Sequence, residues 1–169
     1  MLFRSKVDLP DNLGKRFVMK PETKPESMPV FRRFRSRQYI ELPRAWAIPA
    51  APESLRIELV RHGVQCEVLA EPRTVDAATF AITAKKKPKR PFQGHQELVL
   101  AGAWGPPSAK QLPAGTLWVD ARQPLGMVAA QLLEAQSEDS LSTWNFLEAA
   151  TGDTYPVLRV LGKIGRAHV

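Results

Sequence analysis

The 169-residue chain has a single cysteine, Cys66, which excludes an internal disulfide and does not set the compartment. No apolar run approaches the roughly 20 residues that a bilayer-spanning helix needs, so no membrane span is expected. No secretory leader is visible at the start. Histidine is scarce, with His62, His95 and His168 the full set. A helical zinc pair needs its ligands one turn apart, as in His-x-x-Glu, yet Gln65 follows His62 by three residues and Leu98 follows His95. His95 and Glu97 would share one face of a strand, which is ordinarily a solvated face rather than a metal pair. Gly-x-Ser-x-Gly, the phosphate-binding Gly-x-x-x-x-Gly-Lys-Ser/Thr and Gly-x-Gly-x-x-Gly are all missing. This chain is therefore expected to carry no catalytic residue, metal ligand or cofactor site of its own.

What is present is globular: 44% of residues are hydrophobic, and the formal net charge is +7. Both ends are unusual. Lys163-Ile164-Gly165-Arg166-Ala167-His168-Val169 translates AAG ATC GGA AGA GCA CAC GTC, a common sequencing adapter. Met1-Leu2-Phe3-Arg4-Ser5 translates GTG CTC TTC CGA TCT, the complementary adapter read from a GTG start. Residues 1–5 and 163–169 are therefore expected to be non-native and the chain to be a fragment. Setting them aside removes Arg4, Lys163 and Arg166, and leaves a mildly basic domain, without the charge of a strong nucleic-acid footprint.

Residues 6–37 hold Pro10, Pro21, Pro25 and Pro29 with scattered charges and no hydrophobic period, which predicts a linker or extended wrapping segment. Residues 38–162 are patterned. Tyr39–Leu42 and Ala45–Ile48 read as short strands. Pro52 suits a helix start, Leu55, Leu59, Ile57 and Val60 an apolar face, Arg61 and His62 its last turn, and Gly63 a left-handed cap. Val64–Leu69 reads as a strand that buries Cys66, Thr79–Ala84 and Glu97–Ala103 as further strands, and Lys85–Arg90 as a basic loop or hairpin tip. Leu112–Gly115 fits a type I turn before a strand at Thr116–Val119. Leu125, Val128, Ala129, Leu132 and Leu133 form one helical stripe behind Pro124. Glu138–Ala150 reads as a second helix and Tyr155–Leu161 as a strand whose Pro156 puts it at an edge or keeps the proline to the strand's start. The expected fold is α+β: a mixed sheet with two or three helices packed on it, preceded by the proline-rich extended segment.

Two kinds of charged cluster remain. Glu134, Glu138 and Asp139 gather between the C-terminal helices; paired carboxylates can do acid/base work when burial separates them, but negative charge at a helix start is simply stabilised, and that structural reading is the favoured one. Arg32, Arg33, Arg35 and Arg37 alternate with Phe31, Phe34 and Tyr39; that interleaving suits single-stranded nucleic acid, and equally a strand with aromatics inward. With Lys85–Arg90 it supports an alternative reading as a stand-alone basic module for nucleic acid or an acidic partner, though nucleic acid is the less favoured partner.

Leu42-Pro43-Arg44-Ala45-Trp46-Ala47-Ile48-Pro49, Leu59–Val64, Leu112–Val119 with Gln123-Pro124-Leu125, Leu132–Glu134, Ser137–Leu141, Thr143–Phe146 and Tyr155–Val157 form a long composite pattern. It resembles the segment that follows the catalytic domain in bacterial zinc carboxypeptidase-like proteins, of the carboxypeptidase A-like metallopeptidase class. The resemblance spans about Gln38–Val160. It implies a parent hydrolase in which a His-x-x-Glu pair and a distant histidine hold zinc for proteolysis of a peptide substrate. None of those residues can be placed on this chain. The implied role is an accessory domain, with its own catalytic domain as partner. The polar and aromatic groups of Glu138, Asp139, Trp144 and Asn145 are the candidate interdomain contact; in the alternative, Trp144 fills the domain's own core and Asp139 caps a helix.

Overall fold

The computed structural model of the chain describes residues 4–8, 15–19, 27, 29–30, 33, 40–92, 94–147 and 154–162. The chain divides into two compact units, Met1–Tyr39 and Ile40–Val169. In the first, β1 (Arg4–Asp8) and β2 (Lys15–Met19) pair as an antiparallel hairpin, with Arg4 opposite Met19 and Asp8 opposite Lys15. The rest of the expected linker, including most of the arginine–aromatic run, lies largely outside the described residues; Pro29, Val30 and Arg33 are exposed coil.

The second unit is α+β. In chain order it comprises β3 (Ala45–Ile48), α1 (Glu53–Arg61), β4 (Glu67–Val68), β5 (Arg73–Ala78), β6 (Phe80–Lys86), β7 (Val99–Trp104), β8 (Ser108–Leu112), β9 (Leu117–Asp120), α2 (Gly126–Leu133) and β10 (Leu158–Val160). Six strands form one sheet in the order β4-β9-β3-β10-β5-β8, while β6 and β7 pair separately. Every described pairing is antiparallel.

β3 shows how the layers arise. Its residues alternate between faces, as a pleated strand requires. Trp46 and Ile48 enter the main core with Leu55 and Leu59 of α1 and Ala129 and Leu133 of α2. Ala45 and Ala47 point to the other face, where they meet Ala77, Leu112, Trp118 and Val160. That second face is concave. The Arg73 guanidinium of β5 lies 5.0 Å from the centre of the Trp118 ring on β9, although β3 and β10 stand between those strands. The strand registers set Trp118 level with Ala47, Leu158 and Thr79, six residues along from Arg73, so in a flat sheet strand spacing and strand length together would hold the two backbones roughly 25 Å apart, beyond the reach of both side chains. The sheet therefore curls around this face, and the small side chains of Ala45 and Ala47 on β3 and Ala77 on β5 make room for the curl.

β5–β6 and β7–β8 are two arms of one long bent ribbon. Ala77 pairs with Ser108 and Phe80 with Trp104, and between them the Gly105 amide donates to the Thr79 carbonyl at 2.9 Å. The ribbon leaves the six-stranded sheet at this bend, and residues 87–98 form its far end. Gly102 is required on it, since a Cβ there would stand 2.0 Å from the Ala81 carbonyl oxygen.

Several expectations are corrected. Residues 40–43 are coil, and Arg44 is a bend, so no strand forms at the described part of Tyr39–Leu42. The strand expected over Val64–Leu69 is only the two residues of β4. The turn before β9 is displaced by one residue: the Thr116 amide donates to the Pro113 carbonyl, and Gly115 has φ +85°, the third position of a type II turn rather than the end of a type I turn. Pro52 precedes α1 as its N-cap, with β-region φ and ψ, and Gly63 beyond the helix takes φ +76°. β10 lies inside the sheet, between β3 and β5, and Pro156 falls before it, where its missing donor breaks no ladder bond.

Candidate functional site

The stretch expected to be a helix over Glu138–Ala150 is not one in its described part, 138–147; it is a run of turns. The Leu141, Trp144 and Leu147 spacing mimics a helix, but local hydroxyl bonds compete with the helical ladder. Ser140 Oγ and Ser142 Oγ are 2.8 Å apart, and the Ser142 amide donates to Ser140 Oγ at 3.2 Å. Asn145 then takes φ +61°, a left-handed conformation that ends helical winding and that asparagine tolerates better than most residues. Leu141 and Leu147 are buried beside α2, and the Leu141 amide donates to the Leu132 carbonyl at 2.8 Å.

These turns carry Trp144 outward. It is half-buried and belongs to neither core, and Asp139 has no helix to cap. Instead Trp144 meets the end of the bent ribbon. Its ring lies 4.9 Å from that of His95, at an interplanar angle of 34°, and 6.5 Å from Phe92 in an edge-on contact. Two bonds from Asn145 and one from Thr143 fix this meeting. Asn145 Nδ2 donates to the Gln96 carbonyl at 2.8 Å and stands 3.1 Å from His95 Nε2. The Leu98 amide donates to the Thr143 carbonyl at 3.1 Å. His95 is thereby held as a ring contact. Phe92 and His95 also exchange both backbone bonds, at 2.9 and 2.8 Å, around Gly94 with φ +82°.

The two segments enclose an open cavity of about 390 Å³. Phe92 and Trp144 supply aromatic surface, and Glu97, Glu138 and Asp139 supply carboxylates. None of the three carboxylates forms an ion pair among the described residues. Of the candidate contact residues, Glu138, Asp139 and Trp144 line the cavity, and Asn145 braces the wall behind Trp144. Phe92, His95 and Glu97 complete the site. They are some 50 residues away in sequence, and only the weak His-x-Glu signal at His95 and Glu97 marked that segment.

Glu134 does not join Glu138 and Asp139. It is buried at the end of α2, where it accepts from Trp46 Nε1 at 2.9 Å and from Nε and Nη2 of Arg159. Arg159 in turn stacks over Trp104 at 4.1 Å. This knot ties α2 to β3, β10 and the ribbon, and its role is structural. Tyr155, fully buried, donates its hydroxyl to the Leu133 carbonyl at 3.1 Å beside it.

Cys66 is half-buried, with Sγ 3.7 Å from the Val64 carbonyl, and burial pushes its thiol up, away from nucleophilic thiolate. His62 is exposed at the C-terminal end of α1. Among the described residues no three His, Cys, Asp or Glu side chains come together to hold a metal ion. No described helix is long and apolar enough to cross a membrane. Lys85 and Lys86 lie in β6, and Lys87, Lys89 and Arg90 are exposed where the ribbon ends. No protein-family model, curated protein or solved structure matches the chain.

Proposed function

We propose that the chain is a non-catalytic accessory domain of a zinc-dependent carboxypeptidase-like peptide hydrolase, and that it meets the catalytic domain through the face around Trp144. One observation supports the choice of face. Phe92, Trp144 and three carboxylates converge on a cavity, yet they serve neither core and no ion pair among the described residues. Half-exposed aromatics with a polar rim are the usual makeup of a docking patch. The zinc, its ligands and the general base belong to the partner domain, and this chain contributes binding and orientation only.

The test is docking in trans. The catalytic part encoded in the same frame and the 169-residue chain are expressed separately and mixed. The expected result is a complex that Trp144→Ala weakens while far-UV circular dichroism and the melting transition stay close to the parent's. Loss of folding in Trp144→Ala, with docking retained by an Asp139→Arg variant, contradicts the reading. A second reading, a basic module for nucleic acid, draws on the exposed Lys87, Lys89 and Arg90; it requires binding that falls steeply with salt.

A further inference from the structure

We infer that the cavity between the ribbon end and the Trp144 turn is a receptor for an arginine side chain of the partner protein. The inference takes the Trp144 face from the preceding reading, but its chemistry rests on the cavity alone. At about 390 Å³ the cavity falls within the roughly 300–1,000 Å³ of ligand-binding clefts. Its charge runs against that of the chain, which is +7 overall; among the described residues, the charged ones lining it are Glu97, Glu138 and Asp139, with no lysine or arginine. The aromatic surface makes the cation specific. Trp144 and the 53% exposed Phe92 line the cavity, and a planar guanidinium can stack on an aromatic ring while its N–H groups fork to a carboxylate. A lysine ammonium, compact and strongly hydrated, lacks both the plane and the fork.

The site is also preformed. Trp144 is clamped by His95 behind it, and Asn145 holds the turn by its bond to the Gln96 carbonyl. A ligand entering it therefore orders few side chains, which limits the entropic cost of binding.

The probe is L-argininamide, titrated into the ¹⁵N-labelled 169-residue chain by NMR, with citrullinamide as its neutral near-isostere. The expected result is saturable shifts of the Trp144 indole N–H and the Asn145 amide in the millimolar range. Citrullinamide should bind at least about fivefold more weakly, the factor that corresponds to ~1 kcal/mol. The double variant Glu138→Gln/Asp139→Asn removes exposed charges only and should fold; in it the arginine preference should collapse to within about twofold of citrullinamide, well under ~1 kcal/mol. Equal response to the two probes, or an unchanged preference in the double variant, overturns the inference. Failure here leaves docking of the catalytic domain open, and failure of docking leaves the probe binding intact, so the two readings fall separately.

Discussion

Removing the Glu134 carboxylate is the sharpest perturbation of this fold. Glu134→Ala leaves the Arg159 guanidinium, whose side chain is only 15% exposed, with its Trp104 contact but no counter-charge. It also leaves Trp46 Nε1–H, in a residue with no exposed surface, without its acceptor. Breaking a buried pair by deleting one partner costs ~3–5 kcal/mol, and a buried donor left unsatisfied costs ~1–3 kcal/mol. The two losses share one carboxylate and do not add, and Arg159 keeps some access to water. The expected destabilisation is therefore ~3–4 kcal/mol, a large fraction of the ~5–15 kcal/mol that holds a domain together. Urea unfolding followed by tryptophan fluorescence measures it. Glu134→Gln, whose amide oxygen still accepts from Trp46, should cost less. Adding Arg159→Met to Glu134→Gln should cost less than the sum of the two single changes by ~1 kcal/mol or more, because the orphaned cation is gone. A loss below ~1 kcal/mol for Glu134→Ala would refute the claim that this knot holds α2 to the sheet.

Other expectations follow from single residues. Gly126→Ala places a Cβ 1.9 Å from the Ala121 carbonyl oxygen and should cost ~1–3 kcal/mol, as overpacking does; Gly94→Ala meets nothing within 4 Å and should cost only the ~1–2 kcal/mol of its left-handed φ. Bonds from the Arg122 side chain outweigh the opposing effect of burial and, with the Arg122 backbone amide and the charges of Arg122 and Arg44, hold Asp120 down to about 2. A depressed folded value stabilises above the unfolded value and is lost as pH falls through the folded one, so the stability gap between the parent and Asp120→Asn should close between about pH 5 and pH 2, read by urea midpoints. Cys66 should react with a disulfide reagent at pH 8 more slowly than a free thiol, and at the ordinary rate in denaturant; fast native reaction would contradict its raised thiol value.

The parts of the fold legible in the sequence were those where period and punctuation agreed. α1 is framed by Pro52 and Gly63; of the apolar stripe behind Pro124, Ala129, Leu132 and Leu133 are buried in α2 and Val128 is half-buried, while Leu125 is the exposed N-cap. β5 and β8 escaped notice. Arg73-Thr74-Val75-Asp76 and Ser108-Ala109-Lys110-Gln111 are mostly solvated near one side of the sheet, so their strand nature comes from pairing with each other rather than from apolar alternation. The false helix over Glu138–Leu147 shows the opposite error, since apolar spacing alone cannot see Ser140 bonding Ser142 or Asn145 turning left-handed. The candidate site was half legible for the same reason. Glu138, Asp139, Trp144 and Asn145 adjoin in sequence, whereas Phe92, His95 and Glu97 reach them only through the bend of the ribbon. The Glu134–Arg159–Trp46 knot joins positions 25 and 88 residues apart, beyond any local pattern.

The measurement that bears most directly on the central claim is a long read across the genomic locus that encodes the chain, covering the DNA on both sides. If the chain is an accessory domain of a carboxypeptidase-like hydrolase, the reading frame continues upstream into a His-x-x-Glu pair and a later histidine, the ligand set of such a zinc site. A genuine start and stop codon bracketing these 169 residues would contradict it and would move the basic binding module to the front.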